Sequence, residues 1–134
     1  MVESNSSRSS TDRSAPEPIA VDVARAVVTD SLRGIPLDAT HVTVSKTVVP
    51  PHGSTGWHYH VGPVLVLVAE GTLTHTFADG STDTVGAGSC FVEPHGPENA
   101  HVGVNPAAVP LVLHAVYFLP DATSPLAVPV PAPN

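Results

Sequence analysis

The chain has 134 residues, 42% hydrophobic and only 13% charged, with a formal net charge of −7. That length suits a single core, and the large apolar share argues against a wholly disordered chain. Four of its five cations are Arg8, Arg13, Arg25 and Arg33, and Lys46 is the only one between residues 36 and 119. No basic surface is therefore expected to neutralise a nucleic-acid backbone or to adhere to an anionic membrane.

Residues 1–18 are rich in Ser, Thr, Arg and Pro and hold nothing that could bury a core, so they are expected to form a disordered arm. The same stretch lacks the apolar run of a secretory signal, and no later run is long enough to span a bilayer, so the expected compartment is the cytoplasm. Residues 19–33 are ambiguous: they contain helix formers, while Val27, Val28 and Thr29 would also suit an edge strand.

From residue 41 onward the pattern is strand after strand. His41 to Val49 alternates, with Val42, Val44 and Lys46 on one side and Thr43, Ser45 and Thr47 on the other. Trp57 to His60 is a short strand stopped by Gly62-Pro63, and Val64 to Ala69 is apolar on both faces. Thr72 to Phe77 alternates, with Leu73, His75 and Phe77 sharing a face, and Asp79-Gly80 is a hairpin signal. Residues 82–85, 89–92, 100–104 and 111–119 follow as strands. With 15 Pro and 10 Gly as punctuation, this spacing indicates an all-β sandwich or barrel over residues 19–120. The tail, 121–134, is Pro-rich and either runs extended over the domain or stays loose.

Histidine is the compositional outlier, with eight in the chain. In a strand, residues i and i+2 point to one face, so His58 and His60 aim together and can hold adjacent corners of a metal's coordination sphere. His75 shares a face with two apolar residues and points inward, either as a fourth ligand or general base, or as a core histidine. His114 belongs to the cavity wall or to a subunit interface. His52 and His95 are placed in loops at a cavity mouth, and His41 is expected to be exposed. Cys90 is expected to be a buried small apolar residue and Asn105 a turn former. A lone cysteine excludes an intrachain disulfide and any multi-cysteine zinc or iron–sulfur site.

Two segments together resemble the cupin family. The run GSTGWHYHVGPVLVLVAEGTL contains Gly53 or Gly56, His58, His60 and Gly71 in the order of that family's first motif. The run GSCFVEPHGPENAHVGVN contains Gly88, Pro94, Gly96, His101 and Asn105 in the order of the second. The resemblance spans roughly residues 36–120 and implies a double-stranded β-helix, a jelly-roll barrel. Two departures stand out. The motif glutamate falls on Val64, or on Pro63 by the shorter spacing. The gap from Gly96 to His101 is widened by Pro97-Glu98-Asn99-Ala100, so the usual histidine slot falls on Asn99, and the regular spacing to Asn105 assigns His101 instead.

The resemblance thus implies a three-histidine site, His58, His60 and His101, holding one divalent transition metal: iron first, with zinc, nickel, copper and manganese also in play. Glu98 beside His101 is read either as an acid that reaches the site or as a solvated loop residue. Glu70 is placed at the rim, and Glu93 before Pro94 is left between those two roles. The resulting expectation is a metal-dependent enzyme acting on a small molecule, with His75 or Glu98 moving protons. It leans to oxygenase chemistry, because a ligand set without a carboxylate resembles the three-histidine dioxygenases; isomerase, cyclase or decarboxylase chemistry is the alternative. A non-catalytic binding module, or a barrel without metal, are the competing readings, and an internal base near the metal separates enzyme from binder. Apolar residues on both faces of 64–68 and 111–119 predict a partner sheet or second subunit, and the resemblance also implies a homodimer.

Overall fold

The computed structural model describes residues 16–29 and 38–133. Most of the expected N-terminal arm, residues 1–15, and the end of the ambiguous segment, residues 30–33, lie outside the described residues, as do residues 34–37. The strands are β1 (Ile19–Val27), β2 (His41–Val49), β3 (His58–Tyr59), β4 (Val64–Glu70), β5 (Thr72–Phe77), β6 (Thr82–Gly86), β7 (Cys90–Glu93), β8 (His101–Val104), β9 (Leu111–Leu119) and β10 (Val128–Pro129). They form two antiparallel five-stranded sheets, ordered β1-β2-β9-β4-β7 and β10-β3-β8-β5-β6. This is the all-β architecture expected of a double-stranded β-helix. Residues 19–27 of the ambiguous segment form an edge strand, β1, paired along β2 from Ile19↔Val48 to Val27↔His41. Among the described residues, no helix is long and apolar enough to cross a membrane.

Alternation decides what each sheet turns inward. On the first sheet, Val64, Val66 and Val68 of β4 and Leu111, Leu113 and Ala115 of β9 are buried, and Val49 of β2 joins them. Phe91 packs against that cluster from β7, so Glu93, two residues on, faces inward with it. The same alternation turns Cys90 outward. It is exposed, not buried as expected, and pairs with Leu67 on the outer face. On the second sheet the inward set is Leu73 and His75 of β5 together with His101 of β8.

Two glycines permit the close approaches this winding needs. A Cβ at Gly62 would lie 1.8 Å from the carbonyl oxygen of Phe118. Gly71, at φ +83°, carries the chain from one sheet to the other, and its missing Cβ would meet Pro110 O at 2.7 Å. Asn105 is a turn former, its Oδ1 accepting from Ala107 N at 3.0 Å. It is also fully buried, and its amide nitrogen donates to the carbonyls of Val49 and Val109 at 3.0 and 2.7 Å. It thereby ties the end of β2 to the turn that follows β8.

Of the two expectations for the tail, the extended run over the domain is the one seen. β10 pairs with β3 through Val128↔Tyr59 and Pro129↔His58, and Val130 N donates to Trp57 O at 3.0 Å.

Candidate metal centre

Four imidazoles from the second sheet and one carboxylate from the first meet between the sheets. β3 and β8 are joined in the register His58↔His101, which lays those two rings side by side, with centroids 4.5 Å apart. His60 follows β3, and its ring lies 4.9 Å from that of His58 and 5.0 Å from that of His101. The ligand nitrogens of His58, His60 and His101 all lie within 4.8 Å of one another. Imidazole nitrogens on one ion, each at about 2.0–2.1 Å, sit within roughly 4.2 Å of each other, which is the scale of this cluster. The sequence-assigned trio is therefore brought together, and choosing His101 over the position of Asn99 agrees with the fold.

Each of the three rings presents the same tautomer. Nδ1 of His58, His60 and His101 lies 2.8, 2.7 and 2.9 Å from the backbone carbonyls of Gly56, Leu126 and Asn99. A carbonyl only accepts, so each Nδ1 carries the proton and each Nε2 offers a lone pair. Among the described residues, the Nε2 atoms of His60, His75 and His101 are buried without a hydrogen-bond partner.

The group facing them is Glu93, which is 8% exposed. Its Oε1 lies 2.9 Å from His60 Nε2, and its Oε2 lies 3.1 Å from His75 Nε2 and 3.4 Å from His101 Nε2. These are contact distances with no donor between the lone pairs of His60 and His101 and a carboxylate. Buried acceptors crowded this way require a cation or extra protons between them. Burial alone would raise the Glu93 carboxyl. The imidazoles of His101, His60 and His75 outweigh it and hold the group well below the usual carboxylate range.

Glu93 supplies what Val64 lacks. The two are directly opposed across the β4–β7 ladder, in the register Val64↔Glu93, and opposed residues point to the same face. The carboxylate absent from β4 thus enters the same space from the adjacent strand. The residue pattern held one clue, the inward period-two pairing of Phe91 with Glu93; the cross-strand register is not written in a single strand.

The other expected site residues separate cleanly. His75 points inward, is 2% exposed and lines the cavity. Glu98 does not reach it: Pro97–Asn99 folds as a one-turn 3-10 helix at the surface. Glu98 is exposed there, its carboxylate close to the Gly96 backbone. The inserted residues that widen the second motif carry this acid outward. His52 is exposed, and His95 lines a separate groove with Gly62, Pro63 and Phe118. Glu70 is exposed, while His41 is half-buried and not exposed as expected. His114 faces outward opposite Lys46 and Leu67.

The centre opens onto a cavity of about 80 Å³ whose walls include Val66, Leu73, Leu113 and Ala115, with Thr47, Thr55 and Tyr117 as further polar groups. At roughly 10–15 Å³ per water, it holds several waters or a ligand of a few heavy atoms. Among the described residues, no Lys or Arg lines it. Burial pushes the Tyr117 phenol up, so it stands as a protonated donor at neutral pH.

Burial, against the opposing bond to Gly56, pushes His58 down to about 4. Burial also disfavours charge on His101, but Glu93 outweighs it and raises this imidazole above 6.5. In metal-free protein between about pH 4 and 6.5 the unfolded chain binds the extra proton, at His58, so stability rises with pH there, by about 3 kcal/mol at 1.36 kcal/mol per pH unit. Above pH 6.5 the folded protein keeps the His101 proton that the unfolded chain has released, so stability falls again. Thermal unfolding with chelator present should peak near pH 6.5. A melting temperature that stays flat from pH 4 to 6.5 would refute the assignment for His58.

A family model described as Cupin domain matches residues 45–117. A cupin domain from Bordetella pertussis Tohama I is 24% identical, covering 77% of this chain and 94% of that one at a TM-score of 0.56. A conserved protein with a double-stranded β-helix domain from Klebsiella pneumoniae is 19% identical, covering 87% and 93% at a TM-score of 0.63. An oxalate oxidase in complex with the substrate analogue glycolate is 21% identical, covering 66% of this chain but 46% of that one at a TM-score of 0.56. A search of the curated proteins finds no match.

Proposed function

Because the chain belongs to the cupin family, we propose that His58, His60, His101 and Glu93 hold one divalent transition metal in an enzyme acting on a small oxygen-bearing molecule. One observation carries this reading. Imidazole Nε2 atoms and a carboxylate converge at contact distance in a buried cavity, and a cation satisfies them all. When bound, such an ion supplies Lewis acidity toward a substrate oxygen.

The chain's own residues supply the rest. Three neutral imidazoles and one carboxylate leave a divalent centre with a formal charge of +1, which suits a neutral or singly anionic oxygen ligand in a cavity without Lys or Arg. Val66, Leu73, Leu113 and Ala115 give the pocket apolar walls, and Tyr117 offers a hydroxyl donor. His75, whose Nε2 is buried without a hydrogen-bond partner, is the imidazole outside the proposed ligand set best placed to take a proton from bound substrate. An inward His75 and an acid in the cavity are the features that favour an enzyme over a passive binder.

The lean to oxygenase chemistry drew on a ligand set without a carboxylate. Glu93 removes that support, so oxygenation stands beside isomerisation and decarboxylation. A carboxylate added to imidazoles suits iron, manganese, zinc or nickel better than a soft copper(I) ion. The test is to strip the protein, reload it with each of these metals, and follow dioxygen uptake and substrate loss on small diketones, enols and hydroxy acids. Turnover with at least one metal is expected. Tight binding of every metal with no turnover on any compound would instead favour the binding module.

We propose further that a second copy covers the outer face of the first sheet. Leu67 and Val92 are 41% and 63% exposed there, and Ile19 and Val21 of β1 extend the apolar surface at 65% and 59%. Sedimentation should give twice the 13.7 kDa chain mass, and L67E should shift it toward monomer. A monomeric parent protein overturns this assignment without touching the metal site.

A further inference from the structure

We propose that the proline-rich C-terminal segment is a strap that sets the metal-binding form of His60, so that metal retention depends on residues 126–130 staying docked on β3. The inference rests on the metal reading above.

The three ligand tautomers are not secured alike. His58 and His101 donate to carbonyls only two residues away, at Gly56 and Asn99. These partners travel with the ring. His60 donates instead to Leu126, 66 residues along the chain. Which imidazole nitrogen carries the proton is set by the bond the other nitrogen makes. Removing the Leu126 carbonyl frees the His60 proton to move to Nε2, the atom 2.9 Å from Glu93 Oε1, where it blocks ligation. Of the three, His60 is the conditional ligand.

The segment is built to dock and also to leave. Ser124, Leu126, Val128 and Val130 are half-buried, while Pro125, Ala127, Pro129 and Pro131 are exposed. The Val130 amide points at Trp57 O, and backbone direction alternates along an extended chain. Pro129 and Pro131 therefore stand where an amide would face away from β3, which costs no ladder bond and blunts the free edge. β10 is the outermost strand of its sheet, so it can detach without breaking another pairing. β3, two residues long and joined to β8 by the single register pair His58↔His101, has β10 as its other neighbour.

The test uses the full-length chain with V130P, which removes the amide donated to Trp57, and a chain ending at Pro125. V130T keeps the amide and serves as the conservative control. Zinc affinity is measured by chelator competition, and the His60 tautomer by imidazole nitrogen NMR in metal-free protein. Loss of an outer partner of a ligating histidine costs about 10–100-fold in metal affinity. That loss is expected for V130P and the truncation, with the His60 proton shared between its nitrogens, His58 and His101 unchanged, and V130T like the parent. By linkage, zinc should slow amide exchange at Val130 in the parent protein. If the truncated chain fails to fold, V130P decides. Affinity within twofold of the parent and a His60 that keeps its proton on Nδ1 in V130P overturn the strap. If the parent protein binds no zinc, the metal reading fails, and the metal-free tautomer still decides whether the tail controls His60.

Discussion

Changing His58, His60 or His101 to alanine, one at a time, is expected to strip the protein of bound metal. Each ring contributes one outward-bound proton on Nδ1 and one lone pair on Nε2, and the neighbouring unpartnered Nε2 of His75 groups with Glu93 and His101, not with His58 and His60. The loss in affinity should exceed the about 10–100-fold that removal of an outer partner costs. Elemental analysis after purification without added metal reads the result directly. Stability of the metal-free H58A variant should not fall in parallel, because burial already disfavours charge on this ring. H60A and H101A also remove imidazoles that hold the buried Glu93 carboxylate and should lose some stability. Three variants that all retain full metal would eliminate the site.

The second large effect concerns Glu93. E93Q keeps the shape of the side chain but removes its charge, and metal affinity should drop at least tenfold. The double variant V64E/E93V moves the carboxylate back across the ladder to β4. Because Val64 and Glu93 are register partners with side chains on one face, their Cβ atoms stand about 4.5–5.5 Å apart, so a glutamate at 64 reaches the same cavity. The double variant should therefore recover most of the affinity lost in E93Q, while E93V alone should not. Parent-like affinity in E93Q would show that Glu93 is a bystander. Failure of the double variant to recover would show that the cavity accepts the carboxylate from β7 alone.

Much of this was readable from local pattern. The i, i+2 spacing of His58 and His60 fixed their shared direction, and Thr72–Phe77 announced His75 as inward because Leu73 and Phe77 flank it at period two. The regular interval from His101 to Asn105 outweighed the widened interval from Gly96, and the fold explains why: Pro97–Asn99 absorbs the extra residues as a surface turn. What was missed depends on pairings between distant strands. The role of Glu93 before Pro94 stayed open in the sequence, and its register with Val64 reveals its place. Cys90 was misplaced for the same reason, since the face of β7 is settled by which residues meet the core. The tail carried a legible signal that its prolines obscured: Leu126, Val128 and Val130 alternate with small or cyclic residues as an edge strand does. β1 stayed ambiguous because all nine of its residues are exposed, so no burial pattern marks it as strand or helix.

The most direct measurement is X-ray absorption at the zinc edge on stoichiometrically loaded protein, for the parent and for E93Q. Three imidazole nitrogens and at least one carboxylate oxygen are expected at about 2.0–2.2 Å, with the carboxylate contribution lost in E93Q and the imidazoles retained. A spectrum of loosely held ion with fewer than three imidazoles, or one identical in the two proteins, would contradict it.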